Sequence, residues 1–181
     1  MFINTISLIY EGKSYLMIKQ KTKVFLISIF IITGILIGFK LKNEDIKVSN
    51  NIRKLEESLN NNSNTENDTC NYLFNFDYDK VYVFQPYLPK DDMEKQIGFK
   101  YWGLKETVNE GMMNILFVKD NKPVAYLYGY PSDRGFYIDI PIGEYNKFDL
   151  ENIKYSVQEL GLGNYYGNEK TYKKYIIHMK K

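Results

Sequence analysis

An uncharged stretch of 16 residues, 24–39, lies between two lysines near the start of the chain. A helix of that length rises about 24 Å, somewhat less than the roughly 30 Å of a bilayer's hydrocarbon core. Leu41 extends the apolar face, and lysine side chains at the ends can reach the headgroups, so the segment 24–41 is able to span. We therefore predict an N-terminal transmembrane or signal helix, preceded by a cytoplasmic N-terminus at residues 1–23.

Two fates of this segment compete. A secretory signal peptide needs a basic start, an apolar run and a small-residue cleavage site, and only the first two are present. After Gly38 the chain reads Phe39-Lys40-Leu41-Lys42, which offers no A-x-A-like pair. We favour an uncleaved anchor, with secretion after signal cleavage as the alternative.

The positive-inside rule does not decide the orientation of the segment in the membrane, because lysines lie on both sides of the apolar run in nearly equal number. The orientation is therefore inferred from the length of the N-terminal flank. That flank is short, which favours a single-pass protein of the cell membrane with its C-terminal domain outside. The residues after Met17 form a basic n-region of ordinary length for an export signal, so we expect translation to begin at Met17. The alternative is that residues 1–16 are a genuine extension.

Gly34 and Gly38 have the small-xxx-small spacing that lets two membrane helices approach closely. This spacing predicts a homodimer through residues Gly34 and Gly38. The alternative is a chance pair of glycines in a short apolar helix.

The segment that follows the anchor, residues 42–69, is polar and rich in asparagine. With few apolar side chains to bury, it predicts a flexible stalk, or else poorly ordered leader sequence. Ile46, Ile52, Leu55 and Leu59 form a sparse apolar stripe, compatible with a short helix that ends near Leu59. The globular domain is then expected at 70–181. From Cys70 onward the chain carries 15 basic and 15 acidic residues, and such a balance disfavours nucleic-acid binding.

Short apolar runs between turn residues predict an α+β domain. We expect a small antiparallel sheet of four to five strands with one or two packing helices. The predicted strands are 81–84, 112–118, 124–130, 135–141 and 172–179, and the predicted helices are 89–98 and 149–160. Asp120 and Asn121 are expected to form the turn of a hairpin between the second and third of these strands.

Parts for catalysis are scarce in the sequence. It has one histidine, His178, and one cysteine, Cys70, which cannot supply a zinc site of the usual kind. Cys70 is expected to be a free thiol at the edge of the stalk, or to form an intermolecular disulfide if the domain is exported. We predict no cofactor, no metal site and no catalytic residue.

Tyrosine is the unusual residue, with 17 in the chain. Tyr126, Tyr128 and Tyr130 alternate along one predicted strand and so share a face, and Tyr137 follows on the next. Because tyrosine is amphipathic and stiff, these four are the candidate ligand-binding residues. The alternative is that they fill half-buried faces of the sheet.

The stretches "DKVYVFQPYLP" and "ILFVKDNKPVAYLYGYP" carry a resemblance. With its D-K-V-Y-V-F-x-P-Y strand and F-V-K-D hairpin, the chain resembles uncharacterised small bacterial proteins that are exported or membrane-tethered. The resemblance covers about residues 76–131 and implies an extracytoplasmic location, with no activity to carry over.

These observations predict a membrane-tethered extracytoplasmic module that binds a protein or cell-wall partner, with membrane lipid contacted through residues 24–41. The alternative is a carboxylate-dependent hydrolase acting on cell-envelope material, since such an enzyme needs only two acids at a suitable separation.

Overall fold

The structure, a computed structural model, describes residues 2–61, 69–162 and 170–179. The chain divides into two compact units, residues 1–43 and 44–181. Helix α1 runs from Phe2 to Asn61. Within the described ranges, no helix combines the length and apolar content needed to cross a membrane.

The second unit contains four further helices and seven strands among its described residues. In chain order they are α2 (Cys70–Leu73), β1 (Lys80–Val83), α3 (Lys90–Ile97), β2 (Met113–Lys119), β3 (Lys122–Gly129), α4 (Pro131–Arg134), β4 (Phe136–Asp139), β5 (Gly143–Asn146), α5 (Lys147–Leu150), β6 (Tyr155–Leu162) and β7 (Lys170–Ile177).

The strands form two sheets. One has four strands in the order β3-β2-β1-β5, all antiparallel, and the other has three in the order β4-β7-β6. Strands β4 and β7 are parallel, whereas β6 and β7 are antiparallel. The α+β class is confirmed, but the prediction of a single antiparallel sheet of four to five strands is wrong.

The predicted hairpin is present as β2 and β3. Asp120 and Asn121 both have positive φ, 50° and 55°, in the two-residue turn that joins the strands. Asp and Asn tolerate this left-handed backbone better than other residues with side chains, which is why this pair makes a tight hairpin turn. The predicted helix before Gly98 is also confirmed as α3: Gly98 adopts φ 80° and its N–H binds the carbonyl of Glu94.

The four-stranded sheet is buried on both faces, because alternate residues of its strands point to two separate cores. Val81, Ile115 and Phe117 belong to a large core that also holds residues of the three-stranded sheet. Tyr82 and Leu116 belong to a smaller core beneath α3 and the segment that follows it. This two-sided burial explains why β2 reads as one continuous apolar run.

The predicted helix at 149–160 is wrong. Only Lys147–Leu150 is helical, and Tyr155–Leu162 is strand β6, which pairs with β7 along its whole length. Leu150, Ile153, Val157 and Leu160 do have helical spacing. Pairing with β7, the next strand in the chain, overrides this local pattern, as contacts beyond a single element often do.

The short helix predicted to end near Leu59 is present, but the prediction that residues 42–61 belong to a flexible stalk is wrong. Residues 44–61 are helical, and Leu55 and Leu59 are buried in the large core. The Asn51 side chain donates to the carbonyl of Val124 at 2.8 Å, on the edge strand β3, and the Tyr175 hydroxyl donates to the carbonyl of Leu59 at 2.7 Å. The second unit therefore begins at residue 44 and not at 70. Residues 62–68 of the predicted stalk lie outside the described residues.

Candidate functional site

Two of the four candidate tyrosines support the segment that follows α3. The Tyr126 hydroxyl accepts the N–H of Lys105 at 3.1 Å, and it lies 3.0 Å from Asn114 Oδ1 and 3.2 Å from the Lys105 carbonyl. The Tyr128 hydroxyl donates to the carbonyl of Glu106 at 2.9 Å. Their rings stack at 6.0 Å between centroids. Both hydroxyls are thus engaged inside the protein.

Replacing Tyr126 by phenylalanine is expected to lower the free energy of unfolding by about 1–3 kcal/mol, because the buried Asn114 side chain and the backbone of Lys105 would lose a partner. Urea denaturation of the full chain in mild detergent, followed by near-UV circular dichroism, measures this. Tyr130→Phe is the matched control and should change the value by less than about 0.5 kcal/mol. Equal effects of the two substitutions would contradict the assigned role of Tyr126.

The other two candidates lie elsewhere. Tyr130 is partly exposed directly after β3, and Tyr137 is half-buried on β4 in the three-stranded sheet. The Lys174 ammonium lies 5.6 Å from the centre of the Tyr137 ring and bonds Asp139 at 2.8 Å. The structure therefore brings Tyr126 and Tyr128 together, and places Tyr137 in a different sheet.

The acidic groups with displaced pKa values are shifted in the direction opposite to that of a general acid. A hydrogen bond from Lys119 lowers the pKa of Asp77, and a bond from Lys100, 3.0 Å away, lowers that of Glu94. A general acid needs a raised value. Among the described residues no group of three or more histidines, cysteines or acids could hold a metal ion.

The only histidine lies beside a serine. His178 Nε2 is 2.9 Å from Ser156 Oγ, at the exposed edge formed by β6 and the residues after β7. A nucleophile of this kind needs a third group to orient the imidazole. In the described part of the chain no carboxylate is hydrogen-bonded to His178, so this pair has no orienting acid there.

Cys70 is fully buried in the large core and is not at an exposed edge. Burial raises the pKa of its thiol to about 12. The thiolate is the reactive form, and it is almost absent at neutral pH when the pKa is that high.

We therefore expect the folded chain to resist alkylation. Iodoacetamide at pH 8 should leave Cys70 unmodified for hours, whereas the chain unfolded in urea should react within minutes, as intact mass would record. Rapid stoichiometric labelling of the folded protein would show that the thiol is accessible, against the burial described here.

A polar concavity lies where β1 ends and β5 begins. We name it the β1–β5 cleft; its volume is about 360 Å³. It is lined by Tyr82, Val83, Gln85, Gln96, Ile142, Gly143 and Glu144. Tyr82 faces Glu144 across the two strands, and Gln96 reaches the cleft from the last turn of α3.

A tight turn fixes Gln85 at the rim. The N–H of Leu88 lies 3.4 Å from the carbonyl of Gln85, with Pro86 and Tyr87 between them, and Tyr87 has φ 64°. This is the position at which a type II turn normally carries glycine. The Tyr87 N–H donates to Thr107 Oγ1 at 3.1 Å, which ties the turn to the segment after α3. Strain of this kind persists only where the surroundings enforce it.

The cleft is electrically balanced. Lys80 Nζ lies 2.5 Å from Glu144 Oε1, so the single carboxylate among the lining residues is already neutralised. Burial, followed by the nearby Glu144 charge, raises the pKa of Tyr82, which keeps the phenol protonated. Over the described residues, the side-chain amides of Gln85 and Gln96 form no hydrogen bond. The Tyr82 phenol is itself hydrogen-bonded to the Lys80–Glu144 pair. The groups that the cleft offers to a ligand are therefore the two amides.

Sequence reasoning missed this cleft. Its residues come from three separate parts of the chain, around 82–85, 96 and 142–144, and two glutamines and one glutamate form no motif. The nearest signal was the "QPY" of the quoted strand, which marks the turn. The chain matches no protein-family model, no curated protein and no solved structure.

Proposed function

We propose that the protein is a membrane-tethered extracytoplasmic module, held by the segment 24–41, whose unit 44–181 acts by binding a protein or cell-wall partner. One observation carries the tether. Large apolar side chains of the helix are exposed on every side: Phe25, Leu26, Ile27, Ile29, Phe30, Ile31, Ile32, Ile35, Leu36, Ile37 and Phe39.

A helix that is apolar all round requires an apolar environment. Its polar side chains are consistent with that. Ser28 Oγ donates to the carbonyl of Phe25 and Thr33 Oγ1 to that of Ile29, both at 2.7 Å. These hydroxyls are satisfied within the helix itself, as lipid demands of every polar group.

The apolar run of the helix is somewhat short for a membrane span. The described apolar side chains extend over residues 25–39, about 22 Å of helix, which is short of a full span. Val24 and Leu41 continue the run in the sequence, and their side chains lie outside the described residues. Lys23 and Lys42 are exposed at the two ends, where lysines can reach the headgroups.

The predicted dimer contact through Gly34 and Gly38 stays part of this proposal. A Cβ added at either glycine would meet nothing within 4 Å among the described residues. The binding role rests on the β1–β5 cleft, since a concave site with a few convergent polar groups is what a small-molecule binding site presents. No observation favours the hydrolase alternative.

Cell fractionation tests the tether. The chain is expected in the membrane pellet after a carbonate wash. Ile32→Lys places a charge in the middle of the run, at a cost of about 2.5–3.5 kcal/mol on insertion scales, and should move much of the protein out of the pellet. Ile46→Lys, at an exposed position outside the run, is the control. Wild-type protein in the wash or in the medium would reject the tether.

A further inference from the structure

We propose that the β1–β5 cleft binds one ring of a neutral sugar. This inference rests on the binding function proposed above and names the class of ligand. Four properties of the cleft carry it: its size, its charge balance, its unused amides and its mixed polar and apolar walls.

The size restricts the ligand to one small unit. A volume of about 360 Å³ is at the low end for pockets that hold small molecules. Such a cleft can take a single sugar ring of a chain and leave the neighbouring rings outside. A long polymer can therefore be recognised unit by unit at its exposed surface.

The charge balance favours an uncharged ligand. Glu144 is the carboxylate that lines the cleft, and Lys80 is bonded to it at 2.5 Å. No lysine or arginine of the described ranges lines the cleft to bind a phosphate or carboxylate ligand, and a cationic ligand would have to displace Lys80 from Glu144. That exchange gives up a charge-assisted hydrogen bond, which is stronger than a neutral one.

The amides fit vicinal hydroxyls. Each glutamine side chain presents an NH₂ donor and a carbonyl acceptor in one plane. Each hydroxyl of a sugar can donate and accept a hydrogen bond. Two neighbouring hydroxyls can therefore bind the NH₂ group and the carbonyl of one amide together. Gln85 and Gln96 approach the cleft from a fixed turn and from α3.

The apolar wall fits the C–H face of a sugar ring. Ile142, directly before β5, is exposed at the cleft, whereas the Val83 side chain packs towards the large core. Covering Ile142 removes apolar surface from water, which is favourable. A sugar ring carries hydroxyls around its rim and C–H groups on its face. The lining residues complement both, with polar side chains at Gln85 and Gln96 and an apolar side chain at Ile142.

A peptide fits less well. Extended peptides bind by adding a strand to a sheet edge, and β5 is the edge next to the cleft. That strand has four residues, and the N–H of Asn146 at its end is already bound to the Asp149 carboxylate at 3.0 Å. Such an edge offers few backbone groups to a second chain.

Saturation-transfer NMR and calorimetry on the full chain in mild detergent test the inference. The probes are cellobiose and N,N′-diacetylchitobiose as neutral disaccharides, a glucuronate-containing disaccharide as the anionic analogue, and capped tetra-alanine as the peptide. At least one neutral disaccharide is expected to bind more tightly than the anionic sugar and the peptide.

Variants tie the binding to the cleft. Gln85→Ala and Gln96→Ala should each weaken binding of the neutral disaccharide about fivefold, and the double variant about 25-fold, as the loss of one or two net hydrogen bonds predicts. Neither amide is bonded within the described residues, so both variants should keep the wild-type melting temperature. Gln158→Ala, an exposed glutamine on β6, is the matched control and should bind like the wild type.

The inference is overturned if no neutral disaccharide binds, if the double variant binds the sugar as tightly as Gln158→Ala, or if the anionic sugar binds more tightly. If the peptide binds and the glutamine variants abolish it, the binding module stands and the sugar assignment falls. If no probe binds and the wild-type chain is also absent from the membrane pellet, the proposed function falls with it.

Discussion

Replacing Leu55 by alanine is expected to lower the free energy of unfolding of the second unit by about 2–5 kcal/mol, the usual cost of a cavity at a closed core position. Leu55 is 0% exposed and packs in the large core. The helix around it is also held by Asn51, bonded to Val124, and by Glu56, bonded to Arg134 at 3.2 Å. The core therefore cannot close over the missing side chain without moving the helix.

Guanidinium denaturation of the full chain in detergent measures the effect. Ile46→Ala is the matched control, because Ile46 is an apolar residue of the same helix that is 47% exposed, and it should change stability by about 0.5 kcal/mol or less. A Leu55→Ala variant as stable as the control would mean that residues 44–61 form a loose stalk after all.

Replacing Phe117 by alanine is expected to be more damaging, at about 3–5 kcal/mol. The ring is fully buried on β2 and is surrounded by three aromatic rings. Its centroid lies 4.9 Å from that of Phe74, 5.1 Å from Phe76 and 5.4 Å from Tyr78, with two of these contacts close to perpendicular. Edge-to-face pairs add to the energy of burial.

Phe148→Ala provides the control for Phe117→Ala, since Phe148 is 81% exposed on α5 and loses little on truncation. The same denaturation experiment compares the two. Loss of the cooperative transition in Phe117→Ala would agree with a collapsed aromatic cluster, whereas equal midpoints for the two variants would contradict its place at the centre of the core.

The parts of the fold that could be predicted from the sequence are those specified locally. The turn at Asp120 and Asn121 defines its own hairpin, and Gly98 ends α3, because each needs a backbone conformation that few residues accept. The strand at 80–83 was also found, since its β-branched and aromatic run is followed by Pro86.

The parts that were missed depend on partners outside the segment itself. Leu55 and Leu59 form a sparse apolar stripe, which indicates a helix but does not reveal the surface that covers it. Likewise β6 has a helical apolar pattern and becomes a strand only because β7 pairs with it. Local periodicity cannot distinguish these outcomes.

The candidate binding site was harder to predict from the sequence than the fold. The tyrosine pattern correctly placed Tyr126 and Tyr128 on one face of β3, but their hydroxyls are used by Lys105, Asn114 and Glu106. The cleft instead depends on side chains with no distinctive sequence pattern, brought together by the pairing of β1 with β5. Only the contacts between strands distinguish these glutamines from any other.

Protease treatment of intact cells that express a C-terminally tagged chain tests the central claim most directly. The account predicts that external protease removes the tag while an N-terminal fragment containing residues 24–41 stays in the membrane fraction. A tag protected until the cells are lysed, or a secreted polypeptide whose first residue lies after Phe39, would contradict it.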